Sequence, residues 1–120
     1  MTKIQLPHNH GEKTEYILSH MPSGEEFQVI SDLFRQFSDP SRIRIFWILC
    51  HCEECVINLS AMMNMTSPAV SHHLKQLKTA GLIVSRREGK EVYYRAAETK
   101  KVEMLHDMIE ALVEVSCPGE

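Results

Sequence analysis

The chain has 120 residues, of which 43% are hydrophobic and 24% are charged. These values are ordinary for one globular domain that buries its own core. Its unbroken apolar runs are far shorter than the roughly 20 residues that span a bilayer, and its N-terminus lacks the pattern of a signal peptide. We therefore expect a cytoplasmic protein with no membrane partner.

The formal net charge of -3 would disfavour a nucleic-acid partner if the charges were evenly distributed. They are not, because the segment from Ser67 to Arg95 contains six basic and two acidic residues. This segment carries +4, which leaves -7 for the rest of the chain. One basic segment in an acidic protein is typical of a domain that presents a single face to a polyanion, although a solvated surface without a partner would have the same composition.

Residues 1–23 mix His, Gly, Pro and polar residues without a sustained period. They predict an N-terminal arm whose order the pattern does not define, and two histidines in it, His8 and His10, are candidate metal ligands. The main domain is expected at 24–117, followed by a short tail at 118–120.

The first helices of this domain follow from apolar spacing and capping residues. From Gly24, apolar residues recur at intervals of three and four, which predicts a helix capped by Ser23. Asp39 and Pro40 end this helix, and Asp39 caps the next one, which runs from residue 41 to about residue 50. The apolar residues of that second helix cover most of its circumference, so we expect it to be the central buried helix.

Two shorter helices are predicted next. The segment 50–55 interrupts the apolar pattern, and a short helix follows over 56–63. Another helix, capped by Thr66 or Ser67, runs to Ala80. Its inner face consists of three apolar residues: Val70, Leu74 and Leu77.

The remaining elements are a hairpin and a final helix. Strands at 82–85 and 91–95 are predicted on either side of a turn at 86–90, with Gly89 at its tip. The last helix is expected at 98–115. Its apolar stripe consists of Val102, Leu105, Ile109 and Leu112.

Two short helices followed by a basic hairpin predict a mainly α fold, the winged helix-turn-helix, in which the hairpin is the wing. The second short helix is narrow enough for the major groove, and a basic wing reaches phosphates or the adjoining minor groove. The alternative is a polar helix surface with no ligand. The candidate DNA contacts are Ser67, Ala69, Ser71, His72, Lys75 and Gln76 on the helix, Arg86, Arg87 and Lys90 on the wing, and Arg42 at an earlier helix start.

Several strings of this sequence resemble one family. They are Ser38-Asp39-Pro40-Ser41-Arg42, Cys55-Val56-Ile57-Asn58-Leu59, the run from Ala69 to Leu77, Gly81-Leu82-Ile83, Arg87-Glu88-Gly89-Lys90 and Val92-Tyr93-Tyr94. In these motifs the chain resembles the bacterial ArsR/SmtB family of metal-responsive repressors. The resemblance implies a homodimer formed through the first and last helices, which binds operator DNA until an inducer releases it.

The same resemblance identifies candidate residues for the dimer interface. They are Phe27, Ile30, Phe34, Leu105, Ile109 and Leu112. The alternative for each is a place in the core of its own chain, and for some of them both descriptions are expected to hold.

The cysteines provide candidate inducer ligands. Cys50, Cys52, Cys55 and Cys117 are the four cysteines of the chain, and clustered thiols in a reducing compartment are more often metal ligands or redox sensors than disulfides. The cysteines therefore indicate metal or redox chemistry.

One metal site of the ArsR/SmtB family lies on the paired last helices. The positions that match it here are Glu98, Lys100, Ala111 and Glu114. Lysine and alanine in two of the four positions argue against that site. His106 lies elsewhere on the same helix and is interpreted as a surface or interface histidine.

A second family site joins the N-terminal arm to the start of the helix-turn-helix. Cys55 matches its first cysteine, whereas Ile57 and Asn58 replace two other ligands. Ligands that compensate are available nearby, and thiolate with imidazole favours Zn(II) or Cd(II). We therefore predict one site per protomer that uses Cys50, Cys52 and Cys55 in part and is closed by His8 or His10.

Other functions remain open at this stage. The spacing of Cys50, Cys52 and Cys55 also resembles that of the three-thiol arsenite site of the same family, although it lies upstream of the usual register. Such a site would suit As(III) or lead. Cys50 and Cys117 resemble the cysteine pair of relatives that sense persulfide or oxidants. A constitutive DNA-binding protein with a structural metal is a third possibility. An enzyme is not expected, because the chain lacks a phosphate-binding glycine loop, a nucleophile elbow and paired catalytic carboxylates.

Overall fold

The computed structural model describes residues 5–10, 13–117 and 119. Residues 1–4, 11, 12, 118 and 120 of the predicted arm and tail lie outside them. The chain divides into two compact units, 1–32 and 33–120. In order, the helices and strands are α1 (Thr14–His20), α2 (Gly24–Gln36), α3 (Pro40–His51), β1 (Glu54–Cys55), α4 (Val56–Met63), α5 (Ser67–Thr79), β2 (Ile83–Glu88), β3 (Glu91–Ala96) and α6 (Lys100–Ser116).

Helix α3 is the central helix, as its all-round apolar sequence predicts. Asp39 caps it by accepting hydrogen bonds from the backbone amides of Ser41 and Arg42, which lower the pKa of the Asp39 carboxyl. Around α3 the core of the second unit is built from apolar residues of every later helix and of the wing. Its fully buried large side chains are Phe46, Ile45, Leu59, Leu74, Leu77, Leu82, Ile83 and Val70.

The wing is longer than predicted and has a third strand. The predicted turn at 86–90 contributes Arg86, Arg87 and Glu88 to β2, so that only Gly89 and Lys90 connect the two strands. Gly89 adopts a positive φ of 63°, which suits glycine. Strand β3 lies in the middle of the sheet order β1-β3-β2, and β1 pairs with it at Glu54↔Tyr94 and Cys55↔Tyr93.

Two further predictions differ from the structure at element boundaries. Part of the predicted arm is helical, because α1 occupies residues 14–20. This helix buries no residue and has no side-chain cap. Its sequence therefore shows neither of the two signals, an apolar period and a capping residue, from which a helix is predicted. The last helix starts at Lys100 rather than Glu98, since the side chain of Thr99 accepts a hydrogen bond from the amide of Val102 and caps the helix there. No helix within the described residues is long and apolar enough to cross a membrane.

Candidate functional site

A tight turn sets the orientation of α5 relative to α4. Asn64 ends α4 in the left-handed conformation, with φ of 54°. Two residues later Thr66 caps α5, and its hydroxyl accepts a hydrogen bond of 3.3 Å from the amide of Ala69. Pro68 occupies the first turn, where its missing amide hydrogen is not needed. The two helices therefore form a helix-turn-helix within the second unit.

Helix α5 has one buried face and one exposed polar face. The predicted inner residues Val70, Leu74 and Leu77 are buried, and His73 is buried with them. The predicted DNA-contact positions all lie on the other side. Of these, Ser67, Ser71, His72 and Lys75 are exposed, while Ala69 and Gln76 are half-buried. The face available to a DNA groove is therefore narrow, polar and free of large apolar side chains.

His73 has a structural environment that its neighbour His72 lacks. Its Nδ1 lies 3.3 Å from Nε of Arg42, which donates to it, and Arg42 also donates from Nη1 to Oε1 of Gln36 at 3.3 Å. Burial lowers the pKa of His73, which favours the neutral ring that accepts from Arg42. Arg42 was predicted to contact a phosphate, but in this structure its half-buried side chain links α3 to α5.

Arg86 is also engaged within the chain. Its Nε and Nη2 donate to the carboxylate of Glu53, at distances of 2.6 to 3.0 Å, and its Nη1 donates to Glu88 at 2.7 Å. The guanidinium lies 4.9 Å from the ring centroid of Tyr93. These bonds lower the pKa of Glu53 and raise that of Arg86. The carboxylates of Glu53 and Glu88 therefore balance the positive charge of Arg86, which the sequence predicted to bind a phosphate.

Arg87 and Lys90 are the remaining predicted phosphate contacts on the wing. Both are exposed, and within the described residues neither forms an ion pair. In the part of the chain that the structure describes, Arg87, Lys90 and Lys75 are basic, exposed and without an intramolecular carboxylate partner, so they can meet an anion.

The four thiols have different environments. Cys52 and Cys117 are exposed, whereas Cys50 and Cys55 are half-buried, and all four are free. Burial raises the pKa of Cys50 to about 11, which disfavours its thiolate, and burial followed by the charge of Glu54 raises the pKa of Cys52. Within the described residues Cys50, Cys52 and Cys55 do not converge into a group of three metal-ligand atoms.

The predicted arm ligands and the thiols belong to different units. His8 and His10 lie in the first unit, with their rings 5.8 Å apart and nearly parallel. Cys50, Cys52 and Cys55 lie in the second. The ligand set that combines them stays a prediction, as does the redox pair Cys50 and Cys117.

Another group of metal-ligand side chains does converge. His51 at the end of α3 meets His106 and Glu110 on α6, and their ligand atoms lie within 4.8 Å of one another. Sequence reasoning missed this group. His106 and Glu110 are four residues apart and so share one helix face, a signal that was readable, but nothing local indicates that His51 faces them.

The predicted dimer residues fall into two sets. Leu105 is buried and Ile109 is packed against the core of its own chain, which is the alternative that the sequence left open. The other four are about half exposed, although they are large and apolar: Phe27 (49%), Ile30 (45%), Phe34 (55%) and Leu112 (52%). Exposed apolar residues of this size agree with the predicted interface, which stays a prediction.

The helix-turn-helix, the three-stranded wing and the exposed polar face of α5 define a winged helix-turn-helix DNA-binding regulator. HlyU from Vibrio cholerae has the same fold, with a TM-score of 0.67 and 26% sequence identity over 79% of this chain and 99% of that chain. The fold class predicted from the sequence is thus confirmed.

Sequence comparisons identify the family. The model of the bacterial regulatory protein, arsR family, matches residues 39–85. A transcriptional repressor SmtB homolog from Synechocystis sp. is 32% identical over 114 residues, which are 95% of this chain and 86% of the relative. The arsenic resistance transcriptional regulator ArsR2 of Pseudomonas putida is 31% identical, over 71% of this chain and 74% of its own length. The chain belongs to the ArsR/SmtB family of bacterial transcriptional regulators, which are DNA-binding proteins and not enzymes.

Proposed function

We propose that this protein is a cytoplasmic, homodimeric repressor that binds operator DNA through α5 and the wing and is released by a metal ion. The observation that carries the proposal is the pairing of a polar exposed face on α5 with the free cations Arg87 and Lys90 at the wing. A dimer presents two such faces, and two recognition helices one helical turn apart read successive major grooves.

The exposed residues of α5 divide into two kinds of contact. Ser71, His72 and Gln76 have hydrogen-bonding side chains that suit base edges, while Lys75 suits a base or a phosphate. Ser67 and Ala69, at the start of the helix, are short enough to allow close approach to the groove. Arg42 and Arg86 complete the predicted set, but each must leave its present intramolecular acceptors before it reaches a phosphate, so their contributions should be small.

The inducer is proposed to be a metal ion that a mixed thiol and histidine set would bind, with Zn(II) or Cd(II) favoured. Membership of the family, together with the similarity to the arsenic resistance regulator ArsR2, supports a metal or metalloid inducer in general. In this proposal Cys50, Cys52 and Cys55 supply thiols and His8 or His10 closes the site. Cys55 lies on β1, which pairs with the wing strand β3, so a change at Cys55 can alter the position of the wing.

The DNA contacts can be tested by salt dependence. Duplexes selected from a random library should bind the protein, and the slope of log K against log salt reports the number of phosphate contacts. Arg87→Ala should reduce that slope by about 1, whereas the matched Arg86→Ala should change it less, because Arg86 is already neutralised by Glu53 and Glu88. Failure to select any preferred sequence, or equal slopes for the wild type and Arg87→Ala, would contradict the proposed interface.

The inducer can be tested on the same duplexes with reduced protein. Addition of zinc, cadmium or arsenite should weaken DNA binding by up to ~150-fold, the upper range of a typical allosteric coupling of about 1 to 3 kcal/mol. Unchanged affinity with every ion would reject the metal response. Release by peroxide or sulfide without metal would instead assign sensing to Cys50 and Cys117, and unchanged affinity under both treatments would indicate a constitutive DNA-binding protein.

A further inference from the structure

The end of α3 and the middle of α6 carry a group of three side chains with the chemistry of metal ligands. Nε2 of His51 lies 2.9 Å from Nε2 of His106, and Oε1 of Glu110 lies 3.2 Å from the same His106 atom and 3.8 Å from Nε2 of His51. Two imidazole nitrogens and one carboxylate oxygen therefore surround one point.

These separations suit a tetrahedral ion. Zn–N and Zn–O bonds of about 2.0 to 2.2 Å place neighbouring ligand atoms of a tetrahedron roughly 3.3 to 3.6 Å apart. The three observed distances lie on both sides of that range, so small rotations of the side chains would give each atom a bond to a common ion. The two facing imidazole nitrogens in particular, which cannot both donate to each other, would both become ligands.

The surroundings of the group hold its ligands in place. Nε1 of Trp47 donates a hydrogen bond of 3.0 Å to Oε1 of Glu110, and the Trp47 ring lies 4.2 Å from the ring of His51. On the other side of the group, a carboxylate oxygen of Asp107 lies 3.8 Å from Nδ1 of His106. At this distance Asp107 forms no hydrogen bond with His106 and acts on the ring through its negative charge, whereas the hydrogen bond from Trp47 fixes the position of Glu110.

Exposure leaves one side of the group open. The side chains of His51, His106 and Glu110 are 46%, 24% and 50% exposed, so a fourth ligand would be water. Three protein ligands and an open position give an exchangeable ion, in contrast to the closed four-ligand sites that serve a structural role. Two nitrogens and one oxygen favour borderline divalent ions over As(III) or lead, which prefer thiolates.

We propose that His51, His106 and Glu110 form a binding site for a borderline divalent ion of the zinc, cobalt or nickel class. The site contains none of the predicted thiol ligands. It joins α3, which carries His51, to α6, which carries His106 and Glu110. Its regulatory role rests on the proposed function. An ion that fixes α3 to α6 would couple the helix before the helix-turn-helix to α6, the helix proposed to take part in the dimer interface. The site itself depends only on the geometry of these three side chains.

The experiment is a zinc titration of the reduced full chain by calorimetry, in a Cys52→Ser, Cys55→Ser background that removes two candidate thiol ligands. In that background one zinc ion per chain should bind. His51→Gln and Glu110→Gln should each weaken binding, by at least about 100-fold, and Trp47→Phe by about 10-fold through the lost orientation of Glu110. His20→Gln, an exposed histidine on α1, is the matched control and should bind as the background does.

Two measurements protect the result from misinterpretation. Circular dichroism of each variant checks that the fold is retained. Glu110→Gln removes one charged ligand while it keeps the shape of a half-exposed side chain, so it tests the site independently of His51→Gln. Cobalt(II) spectra of the background protein should show tetrahedral d–d bands without thiolate charge transfer. The site would be overturned if both His51→Gln and Glu110→Gln bound zinc within a few-fold of the background affinity. It would also be overturned if the cobalt spectrum showed thiolate charge transfer.

Failure of the site and failure of the proposed function give different results. If His51→Gln binds zinc normally and zinc still releases DNA from it, the site is wrong and the metal-responsive function stands. If the wild type binds zinc through the three residues but zinc, cadmium and arsenite all leave DNA affinity unchanged, the site is supported and the metal-responsive function is wrong.

Discussion

Helices α5 and α6 are both amphipathic and both begin at a threonine cap, yet they expose chemically opposite surfaces. On α5 the residues outside the core are polar, as at Ser71, His72 and Lys75. On α6 the first turns are buried through Val102 and Leu105, but further along Leu112 is 52% exposed. A polar exposed face suits a hydrated ligand such as DNA, whereas an exposed apolar face gains free energy when protein covers it. In the proposed function this contrast favours DNA as the partner of α5 and a second copy of the chain as the partner of α6.

The largest expected effect is on the buried face of α5. Leu74→Ala should lower the free energy of unfolding by about 2 to 5 kcal/mol, because Leu74 is 1% exposed and its removal leaves a cavity under the recognition helix. Urea denaturation measures this change. The matched Ser71→Ala on the exposed face of the same helix should change stability by less than about 0.5 kcal/mol. Equal effects of the two substitutions would contradict the assignment of the faces.

The exposed face of α6 should matter for association rather than for the monomer fold. Leu112→Glu should weaken self-association by at least about 30-fold, the equivalent of a hot-spot loss near 2 kcal/mol, measured by sedimentation equilibrium. Ile57→Glu, which places the same charge on an exposed apolar residue of α4, is the control and should leave the dimer intact. A wild-type monomer, or a Leu112→Glu variant that associates normally, would remove α6 from the interface.

Removal of the threonine caps should affect the stability of the protein equally at α5 and α6. The hydroxyl of Thr66 accepts from the amide of Ala69 at 3.3 Å, and that of Thr99 accepts from the amide of Val102 at 3.2 Å. Thr66→Ala and Thr99→Ala should each lower stability by about 1 kcal/mol in thermal or urea denaturation. Only Thr66→Ala should also weaken DNA binding, since of the two helices only α5 belongs to the proposed DNA interface. Loss of DNA affinity in Thr99→Ala at concentrations that preserve the dimer would contradict this division.

The smallest effect is expected from pH, through His73. Burial lowers its pKa in the folded protein, so the unfolded chain binds more protons below the usual histidine pKa of about 6.5. The contribution of the neutral ring is therefore complete above that pH and decreases as pH falls towards the lowered pKa. The stability of the wild type should drop more steeply between pH 7 and 5 than that of His73→Gln.

The control for this pH dependence is the adjacent histidine. His72→Gln removes an exposed ring on the DNA-facing side of α5 and should keep the wild-type slope in urea denaturation at several pH values. A slope that is unchanged in His73→Gln, or lost in His72→Gln, would show that burial of His73 does not control the pH response.

Local sequence signals predicted most of the fold. The apolar period of α5 correctly placed Val70, Leu74 and Leu77 inside, and Asp39 was recognised as a cap because its partners are two or three residues away. For α5 the sequence left Thr66 and Ser67 open, and the structure shows that Thr66 is the cap. The same reasoning failed for α1, which buries nothing, and for β1, a two-residue strand that exists only because β3 pairs with it.

The site was harder to predict, because its properties depend on contacts between distant residues. Arg86 looks like a phosphate ligand in the sequence, but Glu53, 33 residues away, neutralises it. His106 looks like an isolated surface histidine until α6 packs beside α3, where it meets His51 across 55 residues. Leu105 and Leu112 belong to the same stripe, and only packing separates the core residue from the exposed one.

The sequence by itself determined the helical order, the two faces of α5, the basic segment in an acidic chain and the family. Each of these depends on periodicity, capping or motifs that extend over a few residues. The tertiary structure decided which basic residues remain free, which apolar residues of α6 need a partner, and which ligands converge. These three properties depend on how helices and strands that are distant along the chain pack against each other. The spacing of neighbouring residues does not determine that packing directly.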